Sequence, residues 1–321
     1  MILEQYYIEC LSHASYLVGD ETTGRAVVVD PRRDITEYLD DAAKHGLTIE
    51  GVINTHFHAD FVSGHLELVQ ATGAWIGFGA AAQTDYPIRR LSDGQHLSLG
   101  EVDLEILSTP GHTWESISVL VRERAGGVDP VAVLTGDALF IGDVGRPDLA
   151  NLGDGSTTDL ARAMYRTIHD RLLRLPDHVT VMPAHGAGSS CGKNLSAELT
   201  STIGVQRRTN PSTQPMTEAE FVELITHGQP AAPAYFSVDA AMNKRVHPLL
   251  DQHRNIPRTD RGPAVVRSGG RCPRGGCPVG RRLRCRSSPR IGQRRFRRPL
   301  RRDRRHGCRG GCDHRAGHLS R

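Results

Sequence analysis

Val52-Ile53-Asn54-Thr55-His56-Phe57-His58-Ala59-Asp60-Phe61 joins a short apolar run to two histidines and an aspartate spaced as HxHxD. The apolar pair reads as the end of a buried strand, which delivers the polar side chains to a loop at its tip. Three further segments repeat the arrangement: Thr109-Pro110-Gly111-His112-Thr113, Thr135-Gly136-Asp137 and Pro183-Ala184-His185-Gly186, each at or just after an apolar strand-like run. A lone histidine is more often a hydrogen-bonded core residue. Four His- or Asp-bearing strand ends, in contrast, can be aimed at one point by a rigid sheet. Imidazole together with carboxylate is a ligand set for zinc, iron or manganese, so a metal site is expected.

Working outward, Val27-Val28-Val29 stops at Asp30-Pro31 as a buried strand should. Ile35, Tyr38, Leu39, Ala42 and Ala43 share one helical face, with Gly46 as the stop. Leu66, Leu68, Val69 and Ala71 predict a helix ending at Gly73, and Trp75-Ile76-Gly77-Phe78 a further strand. Val102, Leu104 and Ile106 alternate with Glu101, Asp103 and Glu105, and Ile117, Val119 and Val121 alternate likewise. Both segments are expected as half-buried strands with one wet face. A helical stretch from about Thr158 to Leu173 precedes the strand Val179-Thr180-Val181-Met182. Strands with interspersed helices give an α/β (α+β) class with substantial antiparallel content.

The 321 residues carry a formal net charge of +4, which hides a division. From His253 onward there are 22 Arg, 3 Asp and neither Glu nor Lys, leaving 18 basic against 33 acidic residues over 1–252. The expected organisation is an acidic domain over 1–252 and an Arg/Gly-rich tail over 253–321. The tail has one aromatic, Phe296, and almost no apolar periodicity, so it is expected to be disordered. Arginine without lysine, amid Gly, Pro and Cys, is also what a GC-rich coding sequence gives when read out of frame. Nucleic acid is not the expected partner, because the aromatic platforms of single-strand binders are missing. Cys272/Cys277 and Cys308/Cys312, with His306, His314 and His318, have ligand-like spacing but lack a foldable frame for zinc. Cys10 and Cys191 are too sparse for a disulfide framework. Neither a membrane span nor a secretory signal is readable, and a cytoplasmic location is expected.

The succession HxHxD, TPGHT, TGD and PAHG resembles the metallo-β-lactamase superfamily over about residues 5–250. Within it, THFHADFVSGH, TGDALFIGDVGRPDL, AHGAGSSCGK and EFVELITHGQPAAPAYF are similar to the persulfide dioxygenases, particularly the bacterial form followed by a rhodanese domain. The glyoxalase II thioester hydrolases are the nearer relatives outside that group. The resemblance implies an αββα sandwich with the metal at one edge of two sheets. It also implies one Fe(II) per chain on His56, His112 and Asp137, a two-His-one-carboxylate triad that leaves open positions for a persulfide sulfur and dioxygen. A dinuclear hydrolase of the superfamily uses HxHxDH, where this chain has Phe61, and a phenyl ring cannot ligate. The alternative cofactor is two zinc or mixed metals, with S-lactoylglutathione hydrolysis as the activity.

By the same resemblance His58, Asp60 and His185 act around the metal and substrate, or survive as remnants of a hydrolase site. Arg146 shapes the substrate side of the site or, alternatively, holds its loop by pairing with Asp148 or Asp143. Cys191, aided by the charge of Lys193, either carries sulfane sulfur or is an inert buried thiol. His65 is a candidate replacement for the ligand missing at Phe61, and His13 is read as a packed, hydrogen-bonded residue. The expected substrates are a small persulfide, glutathione persulfide among them, and dioxygen, giving sulfite and thiol. A homodimer is compatible with this reading. No rhodanese module is readable after Asp251, so sulfurtransferase activity is not expected. A reading from another class is an inactive product whose basic tail spoils folding or binds nucleic acid.

Overall fold

A computed structural model describes residues 1–127, 129–149 and 157–250. The tail, with its expected disorder and its cysteine pairs, lies outside the described residues. The first sheet has the spatial order β1 (Ile2–Ile8), β2 (His13–Asp20), β3 (Arg25–Val29), β4 (Thr48–Ile53), β5 (Trp75–Gly79), β6 (Arg89–Leu91). The second contains β7 (His96–Ser98), β8 (Asp103–Ser108), β9 (Ile117–Arg122), β10 (Ala132–Gly136), β11 (Thr180–Pro183) and β12 (Ser201–Thr202), also in sequence order.

Between the sheets, Tyr16, Val18, Val27, Val29 and Ile53 meet Leu104, Ile106, Val119, Val121 and Leu134, all 2% exposed or less. Each such aliphatic chain taken from water contributes about 1.5–3 kcal/mol. Strand residues of opposite parity face outward. Leu17, Ala26, Val28 and Val52 pack on Tyr38 and Ala42 of α1 (Thr36–Lys44) and Leu68 of α2 (His65–Thr72). Leu120, Val133 and Val181 pack on Ala161 and Met164 of α3 (Thr157–Arg166) and on Phe221 and Ile225 of the helix Glu218–Thr226. The layers are therefore helix, sheet, sheet, helix.

This double cover corrects one expectation. Between its inward residues β9 exposes no wet face: Ser118 is 0% and Leu120 2% exposed, because helices lie on that side. The expected 158–173 helix also changes pitch, as α3 gives way to a π-helical turn at Thr167–Arg171 and a 3-10 turn at Leu172–Arg174. After β12 come α4 (Ile203–Thr209), α5 (Glu218–Thr226) and α6 (Phe236–Asn243). Thr217 and Glu220 start α5 with a reciprocal capping box. No helix among the described residues is long and apolar enough to cross a membrane.

Topology places the site. β3 pairs with β4, and β10 with β11, in parallel, so neighbouring strands in each sheet release their chains at the same end. Asp30 follows β3, His56 and His58 follow β4, Asp137 follows β10 and His185 follows β11.

Candidate metal centre

Asp30 organises the loop beyond β4. It occupies the left-handed region, with φ of 51°, which turns its carboxylate inward. That carboxylate accepts from the Thr55 N–H at 2.7 Å, the Thr55 hydroxyl at 2.8 Å and His58 Nε2 at 3.0 Å. The Thr55 proton is thereby committed to Asp30, so the Thr55 oxygen accepts from His56 Nδ1, 2.9 Å away. His112 Nδ1 donates to the Arg146 carbonyl at 2.8 Å, and His185 Nδ1 to the Ser12 carbonyl at 3.2 Å. The hydrogen-bond network thus assigns the proton of all three rings to Nδ1 and leaves Nε2 as a lone pair.

These lone pairs converge on Asp137. His56 Nε2 and His112 Nε2 lie 3.8 and 3.5 Å from Asp137 Oδ2, and His185 Nε2 lies 3.5 Å from Asp137 Oδ1. Asp60 Oδ2 is a further 3.5 Å from His185 Nε2. His56 Nε2, His185 Nε2, Asp60 Oδ1 and both Asp137 oxygens are buried without a hydrogen-bond partner. Unpaired buried acceptors cost roughly 1–3 kcal/mol each. A cation among them turns that cost into coordination, so the residues fit a metal. The donor atoms of His56, His112 and Asp137 lie within 4.8 Å of one another, as do those of His58, Asp60 and His185, and those of Asp137, His185 and Cys191.

Electrostatics agree with a neutral ligand at His56, where burial, then the neighbouring imidazoles, hold the ring well below the ordinary histidine range. At His58 burial acts in the same direction, but the charge and hydrogen bond of Asp30 outweigh it and the ring is shifted up. Burial pushes the Cys191 thiol well above its ordinary range, and the carboxylates of Asp137 and Asp60 push it further.

Other expected residues fall into place or are corrected. The Arg146 guanidinium, 1% exposed, is engaged by Asp148 in two 2.7 Å contacts and by the carbonyls of Pro230 and Ser190. That is the loop-holding alternative, and Arg146 meets the site through the carbonyl that orients His112. Lys193 does not assist Cys191, since its ammonium donates to the carbonyls of Leu224 and His227 at the C-terminal end of α5. His65 does not replace a ligand at Phe61. It starts α2, and its ring packs against Tyr86, Phe78 and His247. Phe61 stacks on His13 and His58, with centroids at 4.1 and 4.4 Å. His13 is buried as expected, but neither ring nitrogen has a hydrogen-bond partner, and burial with nearby imidazoles holds it well below the ordinary range.

Asp30, Thr55 and Asn243 were not legible as site residues. Asp30-Pro31 reads as a strand stop, and only pairing in the sheet shows it beside the ligand loop. Asn243, in α6, donates to the carbonyls of His58 and Phe61 at 2.8 Å and accepts from the Ser63 N–H at 2.8 Å. No local pattern announces a contact across some 180 residues. Gly145 admits the close approach of two site loops: an added Cβ would lie 2.0 Å from the Asp137 carbonyl and 3.3 Å from His112 Cβ.

An αββα frame with buried His and Asp lone pairs at one sheet edge defines a metal-dependent enzyme. Residues 8–77 match the model of the metallo-beta-lactamase superfamily. A metallo-beta-lactamase structure from Staphylococcus aureus superposes with a TM-score of 0.72 at 37% identity, covering 77% of this chain and 73% of that one. The chain belongs to the metallo-β-lactamase superfamily. The mitochondrial persulfide dioxygenase ETHE1 of Bos taurus is 27% identical over 66% of this chain and 75% of its own. A hydroxyacylglutathione hydrolase of a Polaromonas strain is 33% identical over 58% and 66%. A beta-lactamase hydrolase-like protein of Agrobacterium fabrum is 29% identical over 65% of this chain, which spans about half (52%) of that relative.

Proposed function

We propose that this protein is a mononuclear iron persulfide dioxygenase, converting a small persulfide such as glutathione persulfide, with dioxygen and water, to thiol, sulfite and two protons. The observation that carries the reading is the triad of His56, His112 and Asp137, whose donor atoms cluster within 4.8 Å while residue 61 is a phenylalanine. Those three side chains would hold Fe(II). Bound there, iron supplies open positions at which a persulfide sulfur and dioxygen can meet. The chain does the rest. Thr55 and the Arg146 carbonyl fix the rings of His56 and His112, while Phe61, 6% exposed, helps keep bulk water from the His58 side. The similarity to a persulfide dioxygenase supports this substrate class.

The Polaromonas relative and the Asp60–His185 pair favour a second reading, metal-dependent thioester hydrolysis. The test is a comparison of oxygen consumption with glutathione persulfide against hydrolysis of S-lactoylglutathione, for protein reconstituted with Fe(II) or Zn(II). The Fe(II) form is expected to oxidise persulfide, and His56→Ala, His112→Ala and Asp137→Ala to lose both iron and activity. Thioester hydrolysis exceeding persulfide oxidation would overturn the proposal.

A further inference from the structure

His112 has little strand beneath it. Asp137 follows β10 directly, whereas His112 hangs in the loop between β8 and β9. The Arg146 carbonyl aims its imidazole, at 2.8 Å, but that bond fixes the ring only if the backbone carrying it is fixed too. Metal–ligand distances hold to about 0.2 Å, so the segment from Ser108 to Gly111 needs a seat.

The seat lies where α3 changes pitch. Met164, near the end of α3, lies against Gly111, which has φ of 151°. A Cβ on Gly111 would come within 2.6 Å of Met164 Cβ and 2.7 Å of its Cα, so glycine is what lets the two backbones meet. Next comes the π-helical turn Thr167–Arg171, in which the Leu172 N–H reaches back to the Thr167 carbonyl. Ile168 and Leu172, both 0% exposed, pack in the core between the second sheet and its helices. Thr167 and Arg171 face the loop instead. The Thr167 hydroxyl donates to the Pro110 carbonyl at 2.7 Å, and Arg171 Nη1 to the Ser108 carbonyl at 2.6 Å. Arg171 Nη2 also donates to both oxygens of Asp93 at 2.7 Å, and Asp93 Oδ1 accepts from the Ser108 N–H at 2.8 Å. The backbone leading to His112 is thus tied, directly or through Asp93, to one turn of helix. Single π turns break the regular hydrogen-bond ladder and recur at functional sites.

We propose that the π-helical turn Thr167–Arg171 is a positioning element for the metal ligand His112, acting through the Thr167 hydroxyl and the Arg171 guanidinium. The inference rests on the reading above only in taking His112 as a ligand. It holds for iron or zinc and for either reaction, because what the turn sets is where the imidazole stands.

The probe is Co2+, whose ligand-field bands move with the distances and angles of its ligands. It is titrated, in competition with a chelator, into metal-free full-length chain, and spectra are read as differences from the parent so that any cobalt held elsewhere cancels. Thr167→Val keeps the volume of threonine and removes the donor. It is expected to move the bands and weaken binding about tenfold, whereas Thr167→Ser, which restores a hydroxyl, returns both to within about twofold of the parent. Arg171→Met, at a side chain 33% exposed, is expected to move the bands in the same direction and serves if Thr167→Val folds poorly. Parental bands and affinity in Thr167→Val and Arg171→Met, whatever their unfolding midpoints, would overturn the proposal. Failure of the ligand reading shows differently, as bands left unchanged by His112→Ala itself.

Discussion

Asp30→Asn isolates the step by which a residue outside the ligand set decides the state of a ligand. Asparagine tolerates the left-handed backbone at φ 51° and matches the volume of aspartate, so neither strain nor a cavity intrudes. With its oxygen at the Oδ1 position, the amide still accepts from the Thr55 N–H and His58 Nε2, which both bond to Oδ1. At the Oδ2 position, however, an NH2 now donates to the Thr55 hydroxyl, where the carboxylate had accepted. The hydroxyl proton must turn toward His56 Nδ1, 2.9 Å away, and the ring proton moves to Nε2. That is the atom facing Asp137. Metal binding must then reverse the tautomer and break the new chain of hydrogen bonds. Changes of this kind weaken metal affinity about 10–100-fold, equivalent to about 1.4–2.8 kcal/mol. The metal-free fold should lose only about 1–2 kcal/mol, because the hydrogen bonds survive without their charge. Asp30→Ala should lose more, about 3–6 kcal/mol, since buried donors are orphaned and alanine is strained at this backbone. Chelator competition measures the affinity, denaturant midpoints the stability and nitrogen-15 shifts the His56 tautomer. An Asp30→Asn protein that binds iron within twofold of the parent, with His56 still protonated at Nδ1, would refute the reasoning.

Burial first, then the charges of His247 and His58, brings His65 down from 6.5 to about 3, so the folded state holds it neutral. As pH falls below about 6.5 the unfolded chain takes up the proton first, and stability should decline down to about pH 3, by at most about 1.4 kcal/mol per pH unit. His65→Phe should flatten this slope in denaturant midpoints measured across pH, and an unchanged slope would reject the assignment. Gly145→Ala should push the Asp137 loop from the His112 loop and reduce iron retention by tenfold or more, because its Cβ would lie 2.0 Å from a carbonyl oxygen. Retention equal to the parent's in a metal assay would count against that close approach. Asn243→Ala should cost about 2–4 kcal/mol by leaving the His58 and Phe61 carbonyls and the Ser63 N–H without their partner. An unfolding free energy from denaturant titration within about 0.5 kcal/mol of the parent's, on the scale of single hydrogen bonds, would show that α6 does not secure the loop.

Much of this could be read along the chain because the signals are local. Val27–Val29 running into Asp30-Pro31, the helix face of Ile35 to Ala43 and the stop at Gly73 are set by side-chain period and backbone preference, and the structure has them where expected. The failure at β9 has a simple cause. Ser118 and Glu101 look alike as polar letters at alternate positions, but Ser118 lies beneath helices and bonds to Thr109 Oγ1. A small hydroxyl can be buried once partnered, and alternation cannot reveal a covering layer. Helices α4 and α6 were missed because their short, weakly periodic sequences become helical through tertiary support.

The same division holds at the site. Which residues carry donors was determined by the sequence: His56, His58, Asp60, His112, Asp137 and His185 stand at strand ends, and the donor atoms a side chain contains are fixed by its residue type. Which donor atom is free, and toward what, was decided only by the tertiary structure. Thr55 receives its proton assignment from Asp30 across a sheet, His112 from a carbonyl 34 residues away and His185 from Ser12, 173 residues away. Parallel pairing of β3 with β4 brings Asp30 beside Thr55, and that of β10 with β11 brings His185 beside Asp137. A hydrogen bond is set by distances of about 3 Å and by direction, and sequence spacing encodes neither once the chain has crossed between strands.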